Sequence, residues 1–479
     1  MKPRPGSLVG FLLALGVSPL LAQTVGNQVL PPLPTGQVTD SVTCADDPSE
    51  TYALYLPSTY TSTKRWPIIY AFDPSARGKV PVKLYKDAAE KYGYIVAGSN
   101  NSQNFAMAEA SKAANAVWQD THLRFSLDER QTYTSGFSGG ARVAGLVALR
   151  CAQCKIGGVI ANGAGYPNTG GPHQKDSFLY FFSIGNQDFN WPEVMTARRD
   201  REQNGETYRV REFPGPHQWA PPDVLEDAVE WIHLKAMQSG AQLPDAAFIE
   251  RFYSRMQAEA ADAEKRADAI AQLNAYRSLV SDFGRFKDVK EYEEKLKSLT
   301  NSATLKQALK KEHGEMSDQD VLTGEVTSKL SGLADADTEA RLALAGEISG
   351  VMTRLKSQGE HSKSERKGLV MLRAFNSLWA QGIEAGQAEM EQKHFGRAEV
   401  YFHLMGEITP EEPWPTLLVA ENRAAMGDRK IAIKAIRESI KRGLKNPEVL
   451  EKDENLQSLR SDPEFQKIVG ELKANYVAK

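Results

Sequence analysis

Between residues 51 and 237, short apolar runs alternate with amphipathic stretches, and this alternation restricts the architectures open to the chain more than any other feature. The runs at 51–56, 66–72, 94–98, 130–135, 156–161, 178–184 and 208–213 have the length and the β-branched or aromatic content of strands. Between them, 82–92, 106–125, 140–151, 192–203 and 221–237 space their apolar residues as helices do. Strands joined through helices form a mostly parallel sheet covered on both faces, because parallel neighbours need a crossover connection. Such a sheet takes its ligands at the carboxyl ends of the strands, so chemistry is to be sought in the loops that follow them.

From about residue 244 strand signals nearly vanish, and Ala, Glu, Lys, Leu and Arg dominate. Residues 245–298 and 328–358 read as long polar helices, and the simplest reading of this middle region is a solvated bundle. The polar segment KSQGEHSKSERK, 356–367, reads as a linker or exposed turn. Further on, Gly386, Ala398, Phe402 and Pro410 recur about 34 residues later as Ala420, Ala432, Ile436 and Leu444, with the proline lost. The recurrence resembles tetratricopeptide repeats, in which small residues sit where two helices cross, although two units are fewer than the roughly three that stabilise such an array. Residues 450–472 then read as a capping pair. The expected division is a leader at 1–22, an α/β unit at 38–240, a helical region at 245–365 and a repeat-like helical domain at 366–479.

With 479 residues, 41% of them hydrophobic and 25% charged, the chain is long enough for two or three globular units. A formal net charge of −3 without a basic run speaks against a nucleic-acid partner. The chain opens with Lys2 and Arg4, an apolar run broken by Gly16 and Pro19, and Leu-Leu-Ala-Gln, which has the form of a signal peptide cleaved after Ala22. Export to the periplasm or the exterior is the expectation, with no membrane span left after cleavage. Of the three cysteines, Cys151 and Cys154 have redox-motif spacing but follow a helix instead of opening one. Buried thiols or a local disulfide are therefore expected over redox catalysis, and Cys44 completes an odd count. No further ligands at zinc spacing accompany them, so no metal site is expected.

The stretch TYTSGFSGGARVAG, 132–145, joins a strand to a small-residue helix through Gly136-Phe137-Ser138-Gly139-Gly140. A serine hydroxyl is a weak nucleophile until a base takes its proton and the backbone exposes it. A sharp turn from strand into helix supplies the exposure, and glycines around the apex avoid steric conflict. The Gly139 amide then faces the oxygen on which negative charge develops. Two loops after later strands complete the order serine, acid, histidine. Asp188 lies in Gly185-Asn-Gln-Asp188, and His217 lies in Pro214-Gly-Pro-His217.

On these three segments the chain resembles the α/β-hydrolase family over roughly 38–238. It is most similar to the exported esterase branch that includes polyhydroxybutyrate depolymerase-like and feruloyl-esterase-like proteins, where a glycine-flanked histidine precedes an aromatic residue. The resemblance implies Ser138 as nucleophile, His217 as general base and then acid, and Asp188 as the group that orients the imidazole. It implies an ester substrate, small or polymeric, and no cofactor. The family's His-Gly after the third strand is replaced here by Asp73-Pro74-Ser75. Pro74 has no amide hydrogen, so the second oxyanion donor beside Gly139 is expected from Ser75 or Asp73, with Ser75 favoured.

Phe137, Trp191 and Trp219 are candidate walls of a substrate pocket, with core packing as the alternative for the tryptophans. His173 reads as a loop histidine, Asn100-Asn101-Ser102 as a polar turn on the active edge, and Asp223 and Asp227 as solvated or helix-N-terminal carboxylates. Two other functions stay open at this stage. One is a serine peptidase or amidase on the same scaffold. The other is a non-catalytic scaffold that binds a protein partner through the helical repeat region.

Overall fold

A computed structural model describes residues 23–25, 28–104, 107–167 and 175–476. The leader at 1–22 and His173 lie outside these residues. Strands β1 (Gln23–Val25) and β2 (Gln28–Leu30) form an antiparallel hairpin. The other strands are β3 (Val38–Thr43), β4 (Thr51–Tyr55), β5 (Trp66–Phe72), β6 (Ile95–Ser99), β7 (Leu127–Phe137), β8 (Gly158–Asn162), β9 (Leu179–Gly185) and β10 (Tyr208–Phe213). They make one eight-stranded sheet in the order β10-β9-β8-β7-β5-β6-β4-β3. From β6 to β10 the neighbours run parallel, and β4 is antiparallel to both β3 and β6.

Helices α1 (Lys79–Tyr92), α2 (Met107–Arg124), α3 (Gly139–Arg150), α4 (Trp191–Gln203) and α5 (Pro222–Ser239) cover the two faces. The alternation of side chains along each strand decides which core they enter. Ile69, Val96, Ile160 and Phe181 point to α1 and α5 and pack with Val82, Tyr85 and Trp231. Ile68, Ile95, Val159 and Phe182 point the other way, to Val117, Ala141 and Val194 on α2, α3 and α4. Both faces being buried explains why β5, WPIIYAF, carries no exposed residue.

Register places the chemistry. Phe72 pairs with Gly136, Phe137 with Asn162, and Phe213 with Gly185, so β5, β7, β8, β9 and β10 end at nearly one level. The loops bearing Asp73, Ser138, Asp188 and His217 therefore leave from the same edge. That edge includes the place where the strand order reverses around β5, the usual ligand position of such sheets.

The remaining helices are α6 (Ala246–Lys265), α7 (Ala269–Phe283), α8 (Lys290–Asn301), α9 (Ala303–Gly332), α10 (Thr338–Glu360), α11 (Glu365–Glu391), α12 (Phe395–Ile408), α13 (Trp414–Ala425), α14 (Arg429–Lys441), α15 (Pro447–Lys452) and α16 (Pro463–Asn475). Several begin at side-chain caps of the expected kind, with Asp245, Asp268, Ser302 and Asp337 accepting from first-turn amides. These helices are not a detached solvated bundle: Phe252, Tyr276 and Leu279 of α6 and α7 belong to the same core as the α5 face of the sheet.

Of the two readings of the segment 356–367, linker or exposed turn, the structure has the exposed turn. Helix continues to Glu360 and resumes at Glu365, leaving a break of four residues, 361–364, in which Lys363 faces solvent. The aligned positions Ala398, Phe402, Ala420, Ala432 and Ile436 are all buried in one core. Gly386 packs so closely that an added Cβ would lie 2.4 Å from the Phe402 ring.

Cys151 and Cys154 form a disulfide, and Cys44 is a buried free thiol whose pKa burial pushes up to about 12. Asp227 is also buried, not solvated, with Arg209, Arg211 and Arg255 around its carboxylate; these arginines hold it ionised and below the usual carboxylate range against the cost of burial. Among the described residues no helix is long and apolar enough to cross a membrane.

Candidate active site

Ser138 has φ 54° and ψ −119°, a left-side backbone conformation unusual for a residue with a Cβ. Such strain persists only where the surroundings enforce it. Here the Ser138 N–H donates to the Asn162 carbonyl at 2.8 Å, and the Asn162 side chain donates to the Gly136 carbonyl at 2.9 Å. Ser183 in turn donates its hydroxyl to Asn162 Oδ1 at 2.5 Å. The turn is tight enough that only glycine fits beside it. A Cβ on Gly136 would lie 2.1 Å from the Gly140 carbonyl oxygen, and one on Gly140 would lie 2.1 Å from that of Phe72. Asn162 was not singled out from sequence, although a polar residue ending a buried strand on the active edge (GVIAN) is a signal of its kind.

His217 Nε2 lies 2.9 Å from Ser138 Oγ, and its Nδ1 lies 2.8 and 2.9 Å from the two oxygens of Asp188. Asp188 has no exposed surface and accepts the Asn190 N–H at 2.8 Å. The acid and histidine loops are tied to each other. Asn186 N–H donates to Phe213 O at 2.8 Å, Gln187 N–H to Gly215 O at 2.9 Å, and Gly215 N–H to Asn186 Oδ1 at 3.1 Å. The imidazole sits between the Phe137 and Phe189 rings, at centroid distances of 4.6 and 4.3 Å. Of the sequence candidates, Ser138, Asp188, His217, Gly139 and Phe137 are thus brought together.

Others are placed differently. Ser75 N–H donates to Asp73 Oδ1 at 2.9 Å, which corrects its expected place as oxyanion donor: its hydrogen is already spent. Asp73 also accepts both Arg77 and the Trp219 indole N–H, the latter at 2.8 Å, so Trp219 ties the histidine loop to the end of β5. Trp191 is buried with its indole N–H on Glu212 at 3.1 Å. Both tryptophans are buried, in line with the core-packing alternative. Asn101 Oδ1 accepts the Thr51 amide and Asn100 Nδ2 donates to the Thr51 hydroxyl, making this turn a brace for β4. The Gly139 amide, in the first turn of α3, has no acceptor within its helix. The polar side chain beside it is Asn104, whose Oδ1 would lie 1.5 Å from a Cβ on Gly139.

The helical region reaches the acid loop directly. Arg373 Nη1 donates to Asn186 O at 3.3 Å, and Asn376 Nδ2 donates to Gln187 O at 2.8 Å. From α9, Gln319 Nε2 donates to Phe189 O at 2.9 Å. Carbonyls on both sides of Asp188 are therefore held by α9 and α11. Arg373 also lies over the Trp191 ring, 4.1 Å from its centroid, and Arg198 of α4 forms a buried ion pair with Glu312 of α9. Asn376→Leu removes one of these donors and buries a carbonyl without a partner. Since small misplacements of a reacting group are costly, kcat for a p-nitrophenyl ester is expected to fall roughly tenfold with KM little changed; an unchanged kcat would mean that the loop holds its own position.

No protein-family model and no curated protein matches the chain. Among solved structures it is similar to a fluorophosphonate-binding serine hydrolase of Staphylococcus aureus, with 14% identity and a TM-score of 0.34 over 38% of this chain and 92% of that one. It is similar also to a ferulic acid esterase, with 15% identity and a TM-score of 0.33 over 40% and 94% of the two chains. An S-formylglutathione hydrolase of Staphylococcus aureus gives 14% identity and a TM-score of 0.34 over 43% and 100%. The mostly parallel sheet, the strand-to-helix elbow at Ser138 and the loops after β9 and β10 define an α/β-hydrolase fold followed by a large all-α region.

Proposed function

We propose that the protein is a serine hydrolase that cleaves carboxylic esters through an acyl-enzyme. The observation that carries this reading is the unbroken line of hydrogen bonds from Asp188 through His217 to Ser138 Oγ. In that line Asp188 keeps the proton on Nδ1, leaving Nε2 to take the proton from Ser138 as its oxygen attacks the substrate carbonyl. Negative charge on the tetrahedral oxygen is met by the Gly139 N–H. Nε2 then protonates the departing alcohol, and a water activated by the same nitrogen releases the acid. These steps call for no metal and no organic cofactor.

The charged and then apolar start of the chain supports export, to the periplasm or beyond the cell. Contacts of α9 and α11 with the acid loop favour a site-building role for the helical half over a separate scaffold role. A peptidase would need its leaving amine protonated at the same Nε2 and a subsite for the peptide. Turnover of a p-nitrophenyl ester against that of a peptide p-nitroanilide separates the two readings. Ester cleavage at least about a hundredfold faster in kcat/KM is expected, and a preference for the anilide would replace the esterase reading with the amidase.

A further inference from the structure

Strand β8 ends in Asn162, and Asn162 and Gly163 together touch both the turn of the nucleophile and the loop of the acid. Asn162 is fully buried and grips the elbow at two points. Its carbonyl accepts the Ser138 N–H at 2.8 Å, and its side-chain amide donates to the Gly136 carbonyl at 2.9 Å. Toward β9, its Oδ1 accepts the Ser183 hydroxyl at 2.5 Å. Ser183 is also fully buried and precedes Gly185, where the acid loop leaves the sheet. A carboxamide can donate to one neighbour while accepting from the other, which neither an ionised carboxylate nor an aliphatic side chain of similar size can do.

Gly163 continues the link. Its N–H donates to Ser183 O at 2.8 Å, and its carbonyl accepts Asn190 Nδ2 at 2.8 Å. The Asn190 N–H in turn holds Asp188 Oδ1. With φ 65°, Gly163 passes where a Cβ would lie 2.7 Å from the Phe137 ring and 3.2 Å from Asp188 Oδ2. The nucleophile and the acid follow strands that are not neighbours, β7 and β9, and β8 lies between them.

Resting on the ester-hydrolase reading, we propose that this end of β8 sets the spacing between Ser138 and Asp188, with Asn162 as a positioning residue that Ser183 holds in turn. The strained backbone at Ser138 keeps its conformation only while its surroundings enforce it. The two Asn162 contacts supply that enforcement, and a misplacement of about 1 Å can cost on the order of a hundredfold in rate. Asn162 and Ser183 act through the groups they hold, not on the substrate.

The test uses the full chain, p-nitrophenyl acetate, and a fluorophosphonate run to completion, so that kcat is read per labelled serine. Ser183→Ala is expected to lower kcat about fivefold, with KM within about twofold of wild type. Asn162→Ala is expected to lower kcat about a hundredfold, and the rate of labelling should fall in step. The double variant should be no slower than Asn162→Ala, because Ser183 acts through the carboxamide already removed.

A residue needed for stability alone would lower the melting temperature and leave kcat per labelled serine unchanged. That result overturns the proposal, as do losses that multiply in the double variant or that fall on KM. Should Asn162→Ala not fold, the kcat of Ser183→Ala decides alone. A wild type that labels and turns over, beside folded variants equal to it, loses only the positioning role. A folded wild type that neither labels nor cleaves the ester loses the hydrolase reading and the positioning role together.

Discussion

Ser138→Ala is expected to abolish fluorophosphonate labelling and to lower ester kcat by roughly 10⁴–10⁶-fold, the range seen when a triad nucleophile is removed. The substitution deletes the oxygen that His217 Nε2 holds at 2.9 Å. Folding should be unaffected, because what holds the turn is the backbone N–H of residue 138 on Asn162 O and the Asn162 side chain on Gly136 O. Alanine meets the same strain at φ 54° as serine does. An unchanged thermal melt with labelling lost is therefore the predicted pair of results. Persistent labelling in the variant would show that the reactive group is another residue.

Asp188→Asn tests a different part of the machinery and should cost about 10⁴ in kcat. Asparagine fits the space but reverses half of the hydrogen bonding. Its amide donates toward Nδ1, which moves the imidazole proton to Nε2 and leaves Ser138 facing a donor where it needs an acceptor. The Asn190 N–H can still donate to the side-chain oxygen, as it now does to Asp188 Oδ1 at 2.8 Å, so the loop should keep its shape. The loss should appear in kcat and in the rate of fluorophosphonate labelling alike. A variant within about tenfold of wild type would remove Asp188 from the mechanism.

Much of this arrangement was legible because it is local. Runs such as WPIIYAF and YRVREF declare strands by length and composition, and β5 and β10 have the bounds expected of them. The order of Ser138, Asp188 and His217, each just past a strand, required only that the strands be parallel and end together, which their register satisfies. Other features depend on partners far away in the chain. That Ser75 has no free N–H depends on the carboxylate of Asp73 turning back on the loop, which the triplet Asp-Pro-Ser does not reveal.

Asp227 looks like an ordinary carboxylate on a helix until Arg209, Arg211 and Arg255 converge on it from a strand and a second helix. Gln319, Arg373 and Asn376 stand 130 to 189 residues from the carbonyls they meet. No periodicity connects them, since a donor to a backbone oxygen carries no sequence signature on the accepting side. Strand β3 escaped notice for a related reason: an edge strand with one solvated face, VTDSVT, is mostly polar.

The grip of α9 and α11 on the acid loop bears on how such a gene is inherited. A rearrangement that trimmed the reading frame after the sheet-forming half would leave the oxygens of Asn186, Gln187 and Phe189 facing water at once, beside the residue whose placement matters most. Losing the helices piecemeal is no easier, because the three donors come from two separate segments of the chain.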